Sequence, residues 1–486
     1  MKARILKFLS LACALVLLLS CAVGCKRGGE DGDDTVNTVS TGGAEDDKYV
    51  KDDLPDDLDF GGKTINVLTW EETKADDWAD TINGETINDA TYKSRQEVAA
   101  RLNIVFDVSA QPGSWDARMQ FSTNLEAYIQ SGLAFDIVGQ YTPTAALTAT
   151  RGLAVNMADL EYINFDKPWW PGDMMQSCRI GDNLYFCSGD ITPTCINAIG
   201  TVFVNLDLAE QYHIEEDIYD VVESGEWTLE KCKTMFTGVV GTGEGTDLET
   251  YGVIIANRGI YDNFFYGGGL TYVSHDAQNQ LILNEDVIGE KMDNWYKACQ
   301  SFLIDNPDVT YLMEYDEDQT IENTFMNGKS IVYMSQVLTD AKLYLRAAEF
   351  NFAVVPYPKY DTEQENYHSI TGYWVTMFSI PPTAEDANMS AAVLEALGSS
   401  AYRSMTPKIY EESFQYRFLQ NEKNAKMLDL IHDTMTYDTG RIFSDDIAMF
   451  NKFRAAFSKD TAWATTVAKE ADIWQANIEK VNSQLG

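Results

Sequence analysis

The chain has 486 residues, of which 45% are hydrophobic and 12% aromatic, so we expect at least two globular domains and not a disordered protein. Its formal net charge is −39. Because so acidic a surface repels phosphate backbones and anionic lipid headgroups, we expect no nucleic-acid partner. High solubility is the simplest interpretation of the charge, and a cationic ligand is the alternative.

The first residues have the pattern of a bacterial lipoprotein signal. Three basic residues precede an almost wholly apolar run, which ends in small residues and a cysteine. Cys25, which is followed directly by Lys26 and Arg27, is the expected site of lipidation, and Cys21 is the alternative. Residues 1–24 are therefore predicted to be a signal peptide. Acyl chains such as palmitate would hold the protein on the outer face of the bacterial plasma membrane without a transmembrane span.

Residues 25–59 are rich in acidic residues, glycine and threonine and poor in apolar residues. Such a segment cannot bury enough apolar surface to fold by itself. We therefore predict a disordered acidic tether that ends at about residue 59.

Hydrophobic periodicity predicts alternating strands and helices in the next part of the chain. The predicted elements are a strand at 63–70, a helix at 84–102, a strand at 103–108, a helix at 119–129 and a strand at 135–139. This order favours right-handed βαβ units and a parallel sheet. Because ligands bind beyond the carboxyl ends of such strands, Trp70 and Tyr141 are candidate site residues.

Residues 181–206 have the composition of a passage from one domain to another. Two apolar strand pieces are predicted, and Pro193 lies between them in a polar, bent link. Further crossings are predicted near 325–329 and 370–374. Three crossings would form a hinge, and a hinge between two lobes produces a cleft. Asp190 and Asn197 on the first crossing are candidate partners for ligand hydroxyls, with structural hydrogen bonds as the alternative.

The second half of the chain combines short strands with many helices. Thr228 is a candidate N-cap for a helix that runs to about residue 236. The other predictions are strands at 251–255, 331–334 and 350–355, helices at 290–303, 318–326 and 337–347, an aromatic and glycine-rich segment at 264–270, and mostly helices after residue 384.

Five cysteines follow the lipidation site, so at least one of them is unpaired. Cys178 and Cys187 flank a predicted hairpin and could form a disulfide, and buried free thiols are the alternative. The absence of a Cys-x-x-Cys pair and of a histidine cluster gives no support to a zinc site.

Several stretches, taken in order, resemble the family 1 extracellular solute-binding proteins of ABC importers. They are the lipoprotein signal, KTINVLTW, FDIV followed by LTATRGLAVNMADL, the passage GDNLYFCSGDITPTCINAIGTVFVNL, SGEWTLEKC, FMNGKSIVYMSQ and YDTGRIF. The segment GTGEGTDLETYG departs from the calcium-type loop of many relatives, because it lacks the dense oxygen spacing of such loops. We therefore expect neither a metal nor another cofactor.

The resemblance implies an α/β protein with a two-lobed, periplasmic-binding-protein-like fold of type II and a hinge of about three crossings. The N-terminal lobe would hold residues 60–190 and 329–368, and the C-terminal lobe would hold residues 191–328 and 369–486. The lobes would close over a ligand.

The ligand class is predicted from the aromatic residues. Sugars present apolar faces ringed by hydroxyls, so their binding sites combine flat aromatic rings with polar side chains. Core packing is the alternative for each ring. The candidates for contact with the ligand are Trp70, Tyr141, Trp169, Trp170, Tyr266, Tyr373 and Trp374.

The expected function is that of a monomeric, non-catalytic receptor that delivers a carbohydrate to an ABC permease. A cationic or peptide ligand is an alternative, since acidic and aromatic residues can form a cation–π cage. A polysaccharide-acting enzyme is a further alternative, although the sequence has no Gly-x-Ser-x-Gly or His-Glu-x-x-His motif. The last alternative is an adhesion or sensor module on the same fold.

Overall fold

The computed structural model describes residues 50–236, 238, 250–256, 260–306, 309–313, 320–335, 337–413, 422–449, 451–458 and 461–486. Its strands are β1 (Lys63–Trp70), β2 (Ile104–Gln111), β3 (Ile137–Tyr141), β4 (Thr201–Asn205), β5 (Tyr251–Ala256), β6 (Val273–His275), β7 (Leu281–Leu283), β8 (Val309–Met313), β9 (Ser330–Ser335), β10 (Phe352–Val355), β11 (Ser369–Ile370), β12 (Thr376–Ser379) and β13 (Met435–Thr436).

The helices surround two main sheets. The longer ones are Thr86–Leu102, Arg118–Gln130, Thr142–Thr150, Leu229–Phe236, Ile260–Gly267, Glu290–Leu303, Ala387–Ser404, Thr406–Ser413, Glu422–Asp433 and Trp463–Leu485. The shorter ones are Lys74–Asp77, Gly172–Ser177, Pro193–Asn197, Leu206–Gln211, Ile218–Glu223, Glu285–Ile288, Thr320–Met326, Thr339–Leu343, Thr439–Ile442, Ser444–Ile447 and Lys452–Ser458, together with 3-10 turns at Glu71–Thr73 and Leu345–Ala347.

The first sheet has the strand order β12-β3-β1-β2. β1 pairs in parallel with both β2 and β3, and β12 is antiparallel to β3. The predicted alternation of strands and helices is thus confirmed, and β1 has the predicted bounds. The last four residues of β1 are all buried, as expected of a strand in the interior of a covered parallel sheet.

The second sheet has the strand order β10-β4-β9-β5-β8 and corrects the predicted division into lobes. We expected residues 329–368 in the N-terminal lobe, but β9 and β10 both pair antiparallel with β4. That assignment is wrong. Conversely, β12 lies in the range expected for the C-terminal lobe, but it pairs with β3 of the first sheet.

The hinge is formed where the chain passes from one sheet to the other. Of the two strand pieces predicted for the first crossing, the second is present as β4, whereas the first forms only an isolated bridge between Cys187 and Phe378. In the link between them Pro193 begins a short helix capped by the Thr192 side chain, a position where a missing N–H costs nothing. The predicted crossing at 370–374 is confirmed, since it lies between β10 and β12. The predicted crossing at 325–329 is wrong, because β9 follows it directly within the second sheet.

A third passage lies in the C-terminal part of the chain. Helix Ala387–Ser404 packs on helix Thr86–Leu102 beside the first sheet, whereas helix Glu422–Asp433 packs on β10 of the second. The chain therefore passes from the first lobe to the second again between these two helices.

Residues 50–59, which we assigned to the tether, are packed on the folded body. Leu54 is buried, and the Asp52 carboxylate accepts two hydrogen bonds of 2.7 Å from the Arg101 guanidinium. Asp53 accepts a hydrogen bond of 2.6 Å from Lys167 Nζ. The folded part therefore begins before residue 60. The predicted signal peptide, the lipidation site and the rest of the tether lie outside the described residues.

The structure also bears on the predicted N-cap and on the cysteines. Thr228 Oγ1 accepts a hydrogen bond of 3.1 Å from Lys231 N, which confirms the N-cap. Cys178 and Cys187 are buried free thiols, as are the other three cysteines of the described chain. In the described residues no helix is long and apolar enough to cross a membrane. Most of the GTGEGTDLETYG segment lies outside the described residues.

Candidate functional site

A cavity of about 320 Å³ lies between the two sheets, near the carboxyl ends of β3 and β9. Such strand ends are where ligands bind in open α/β sheets. Its walls come from both sides of the hinge. The lining residues are Tyr141, Ala198, Tyr261, Asp262, Val337, Gly372, Tyr373, Trp374, Arg441, Asn451 and Arg454.

Trp374 presents an open aromatic surface at this cavity. The residue is 47% exposed, and its ring packs on Trp70 with a centroid separation of 4.9 Å. Trp70 is fully buried, donates from Nε1 to Thr376 Oγ1 at 2.8 Å, and lies 5.2 Å from the Tyr141 ring. Two buried rings therefore hold the exposed ring of Trp374 in place.

Tyr141, whose side chain carries a hydroxyl, ends β3 and is one of the lining residues of the cavity. Burial raises the pKa of this hydroxyl to about 12, although Arg441 and Arg118 act in the opposite direction. The group is therefore neutral at physiological pH and can both donate and accept a hydrogen bond.

Tyr373 is tied to the opposite wall by Arg441. The guanidinium carbon of Arg441 lies 4.0 Å from the ring centroid of Tyr373, and the tyrosine hydroxyl donates to the Arg441 carbonyl at 2.8 Å. One face of the ring is therefore covered by a cation. Trp374, and not Tyr373, offers the open face in this pair.

Arg441 is held by an ion pair. Its Nε lies 3.0 Å and its Nη2 2.9 Å from Asp262 Oδ2, and its Nη1 donates to the Thr371 carbonyl at 2.8 Å. Burial opposes the charge of Arg441, but the Asp262 carboxylate and the neighbouring tyrosines together outweigh burial, and the pKa of the guanidinium is raised. Asp262 thus neutralises the arginine inside the cavity.

Trp115 extends the aromatic group and was missed from the sequence. It is 38% exposed and lies 6.2 Å from Tyr373. The guanidinium of Arg118 lies 4.0 Å from the Trp115 ring and forms two hydrogen bonds of 2.8 Å with the Asp445 carboxylate. The sequence does contain a signal for this residue, because Trp115 follows the carboxyl end of β2 just as Tyr141 lies at the end of β3.

Three aromatic candidates lie in the cores and not at this cavity. Trp169 and Trp170 are buried, and their indole N–H groups donate to Glu395 Oε2 at 3.4 and 2.8 Å. Burial raises the pKa of Glu395 to about 7, against the lowering effect of these two donors. Tyr266 is buried and donates to Asp438 Oδ2 at 3.0 Å. Core packing, the alternative for each ring, is what the structure shows.

The two polar candidates on the first crossing have different environments. Asp190 is fully buried and accepts hydrogen bonds from Thr406 Oγ1 at 2.7 Å and from His432 Nε2 at 2.9 Å. It is therefore a structural residue of the hinge and does not line the cavity. Asn197 is half-buried, directly precedes the lining residue Ala198, and has a buried Oδ1 without a hydrogen-bond partner.

No protein-family model matches the chain, and no curated protein matches it by sequence. Solved structures do. A cyclo/maltodextrin-binding protein complexed with maltotetraose aligns with a TM-score of 0.56 and 13% identity over 86% of this chain and 97% of its own. The cyclic alpha-maltosyl-1,6-maltose binding protein from Arthrobacter globiformis aligns with a TM-score of 0.51 and 12% identity over 87% and 99%.

A further similar structure is UgpB from Mycobacterium tuberculosis in complex with glycerophosphocholine, with a TM-score of 0.51 and 13% identity over 86% of this chain and 98% of that one. At such identities the likeness defines the fold. The chain has the two-lobed, type II fold of periplasmic binding proteins, as predicted.

Proposed function

We propose that this protein is an extracellular solute receptor that binds a carbohydrate in the cavity between its lobes. The observation that carries the proposal is the half-exposed ring of Trp374, which is backed by the buried rings of Trp70 and Tyr141. A rigid aromatic face of this kind matches the apolar face of a sugar ring. Two of the similar structures are named for binding maltose-derived oligosaccharides, which supports the same ligand class.

The polar residues of the cavity also favour a sugar. Asp262, Asn451 and Arg454 supply acceptors and donors for hydroxyl groups at the cavity wall. The cationic-ligand alternative loses support, because the one carboxylate among the described lining residues, Asp262, is already paired with Arg441.

The chemistry of the cavity favours a receptor over a glycosidase. A glycosidase uses two carboxyl groups at a set separation across the scissile bond. Among the described lining residues there is one carboxylate, Asp262, and it is paired with Arg441 at 2.9 Å. Its Oδ2 atom is occupied by the guanidinium, and no second carboxyl group among the described lining residues is present to act with it.

We further propose the cellular role that was expected from the sequence. The protein is anchored to the outer face of the plasma membrane by acyl chains on Cys25, or on Cys21, and it passes its ligand to an ABC permease. Ligand binding shifts the population from an open to a closed arrangement of the lobes, and the closed form is the one that the permease recognises.

A thermal-shift screen of the purified protein against mono- and oligosaccharides tests the proposal. A ligand at 100 times its dissociation constant adds about 2.7 kcal/mol to the free energy of unfolding, which raises the melting temperature measurably. Recovery of the unaltered sugar after incubation would support a receptor, and recovery of shorter sugars would favour an enzyme. No shift with any sugar, together with a shift from polyamines or peptides, would overturn the ligand class.

A further inference from the structure

A second cavity, of about 450 Å³, lies apart from the proposed sugar site and shares no lining residue with it. Its volume falls within the range of small-molecule sites, about 300–1,000 Å³. Its walls are the loop before helix Gly172–Ser177, that helix, helix Ala387–Ser404 and the end of helix Glu422–Asp433. The lining residues are Phe165, Asp166, Lys167, Pro168, Trp170, Pro171, Gly172, Met175, Gln176, Arg179, Tyr402, His432 and Asp433.

The walls of this second cavity are fixed by contacts behind them. Trp170 is buried and donates to Glu395 Oε2 at 2.8 Å, and Lys167 Nζ is bonded to Asp53 at 2.6 Å. His432 Nε2 is bonded to the fully buried Asp190 at 2.9 Å. The cavity is therefore preorganised, which lowers the entropic cost of binding a ligand.

Basic side chains are concentrated at this cavity although the chain as a whole is strongly acidic. Lys167, Arg179 and His432 all line it. Burial lowers the pKa of His432, but the Asp190 and Asp433 carboxylates together raise it to about 10, so the imidazole is charged at neutral pH and paired with both. Two carboxylates, Asp166 and Asp433, also line the cavity, and both are exposed.

Of the three basic side chains that line this cavity, Arg179 is the one without a carboxylate partner in the described chain. Its guanidinium makes one long hydrogen bond, 3.5 Å from Nη1 to the Asp182 carbonyl, and within the described chain no carboxylate lies within 4 Å of it. A guanidinium has five N–H donors and binds carboxylate or phosphate through two parallel hydrogen bonds. Donors remain available to a ligand in the cavity.

We propose that this cavity is a second small-molecule site, for an organic anion in which a carboxylate or phosphate is attached to a ring. The anionic group binds Arg179, and the ring packs against the half-buried side chains of Phe165 and Tyr402. Sugar acids and sugar phosphates share this chemistry. The site is independent of the proposed sugar site, because the two cavities have separate walls.

Isothermal titration calorimetry of the purified protein with glucuronate, glucose 6-phosphate and glucose tests this proposal. We expect the anions to bind and glucose to bind elsewhere or not at all. Arg179→Gln should weaken anion binding at least about tenfold, because the charged hydrogen bonds are lost. The matched control is Arg151→Gln, which removes the same charge from a surface residue whose nearest carboxylate, Glu126, is 4.0 Å away. It should leave the anion affinity unchanged.

A second variant separates the two cavities. Trp374→Ala should leave anion binding intact if the anions occupy the second cavity. Equal anion affinity in the wild type and in Arg179→Gln would overturn the proposal, and so would loss of anion binding in Trp374→Ala. The absence of heat with both anions at millimolar concentration would also overturn it.

Discussion

Replacement of Trp374 by alanine is the sharpest test of the proposed sugar site. The Trp374 side chain is 47% exposed. A tryptophan can bury up to about 250 Å², so roughly 120 Å² is available to a ligand. If a bound sugar covers about half of that area, at about 25 cal/mol per Å² the contact contributes about 1.5 kcal/mol, which is about tenfold in the dissociation constant.

The same substitution should leave the fold intact. The lost ring contacts with Trp70 and Tyr141 are worth about 0.5–1.5 kcal/mol each, which lowers the melting temperature by a few degrees at most in a chain of this size. Leu343→Ala, a change at a 60% exposed residue outside the cavity, is the control.

Calorimetry with the sugar found by the thermal-shift screen measures both variants. A tenfold loss in Trp374→Ala with no loss in Leu343→Ala is expected. Unchanged affinity in a folded Trp374→Ala protein would refute the reasoning, because the ring that carries the proposal would then not contact the ligand.

Three further substitutions test the hinge and the boundary of the fold. Arg441→Gln leaves Asp262 without its cation, so urea denaturation should show a loss of about 3–5 kcal/mol; a loss below about 1 kcal/mol would mean that the pair is solvent-screened. For His432, burial lowers the folded-state pKa, but Asp190 and Asp433 together raise it to about 10, above the ordinary value of about 6.5. The stabilising contribution of His432 is therefore complete below about pH 6.5 and is lost as the pH rises through about 10. The difference in unfolding free energy between the wild type and His432→Gln should therefore shrink toward high pH, and a constant difference would contradict the assignment. Asp52→Ala should cost about 1–3 kcal/mol and speed proteolytic cleavage before residue 60; unchanged cleavage would argue that residues 50–59 contribute little to the fold.

The fold was predictable where local periodicity determines it. The β1, β2 and β3 strands and the helices between them follow from short repeating patterns, and the right-handed crossover rule makes their sheet parallel. The partners of β9 and β10 were not predictable in this way. Both segments were recognised as strands, but each pairs with β4, more than 100 residues earlier in the chain, and no local pattern specifies such a partner.

The site residues could be predicted only in part, for a related reason. The rule that ligands bind at strand ends predicted Trp70 and Tyr141 and would also have found Trp115, because a strand end can be located from sequence. The same rule cannot say which rings keep an open face. Trp170 lies between prolines, as a loop residue would, and is nevertheless buried because Glu395 on a distant helix accepts its indole N–H.

Tyr373 and Trp374 show the same limit in adjacent residues. Both line the cavity, yet Arg441 covers one face of Tyr373 while Trp374 remains half exposed. The difference is set by Asp262, which fixes Arg441 from a helix of the second lobe. The covered face of Tyr373 therefore depends on an ion pair that joins residues 262 and 441. Because no pattern within the Tyr373-Trp374 pair encodes that contact, only the folded chain distinguishes the two rings.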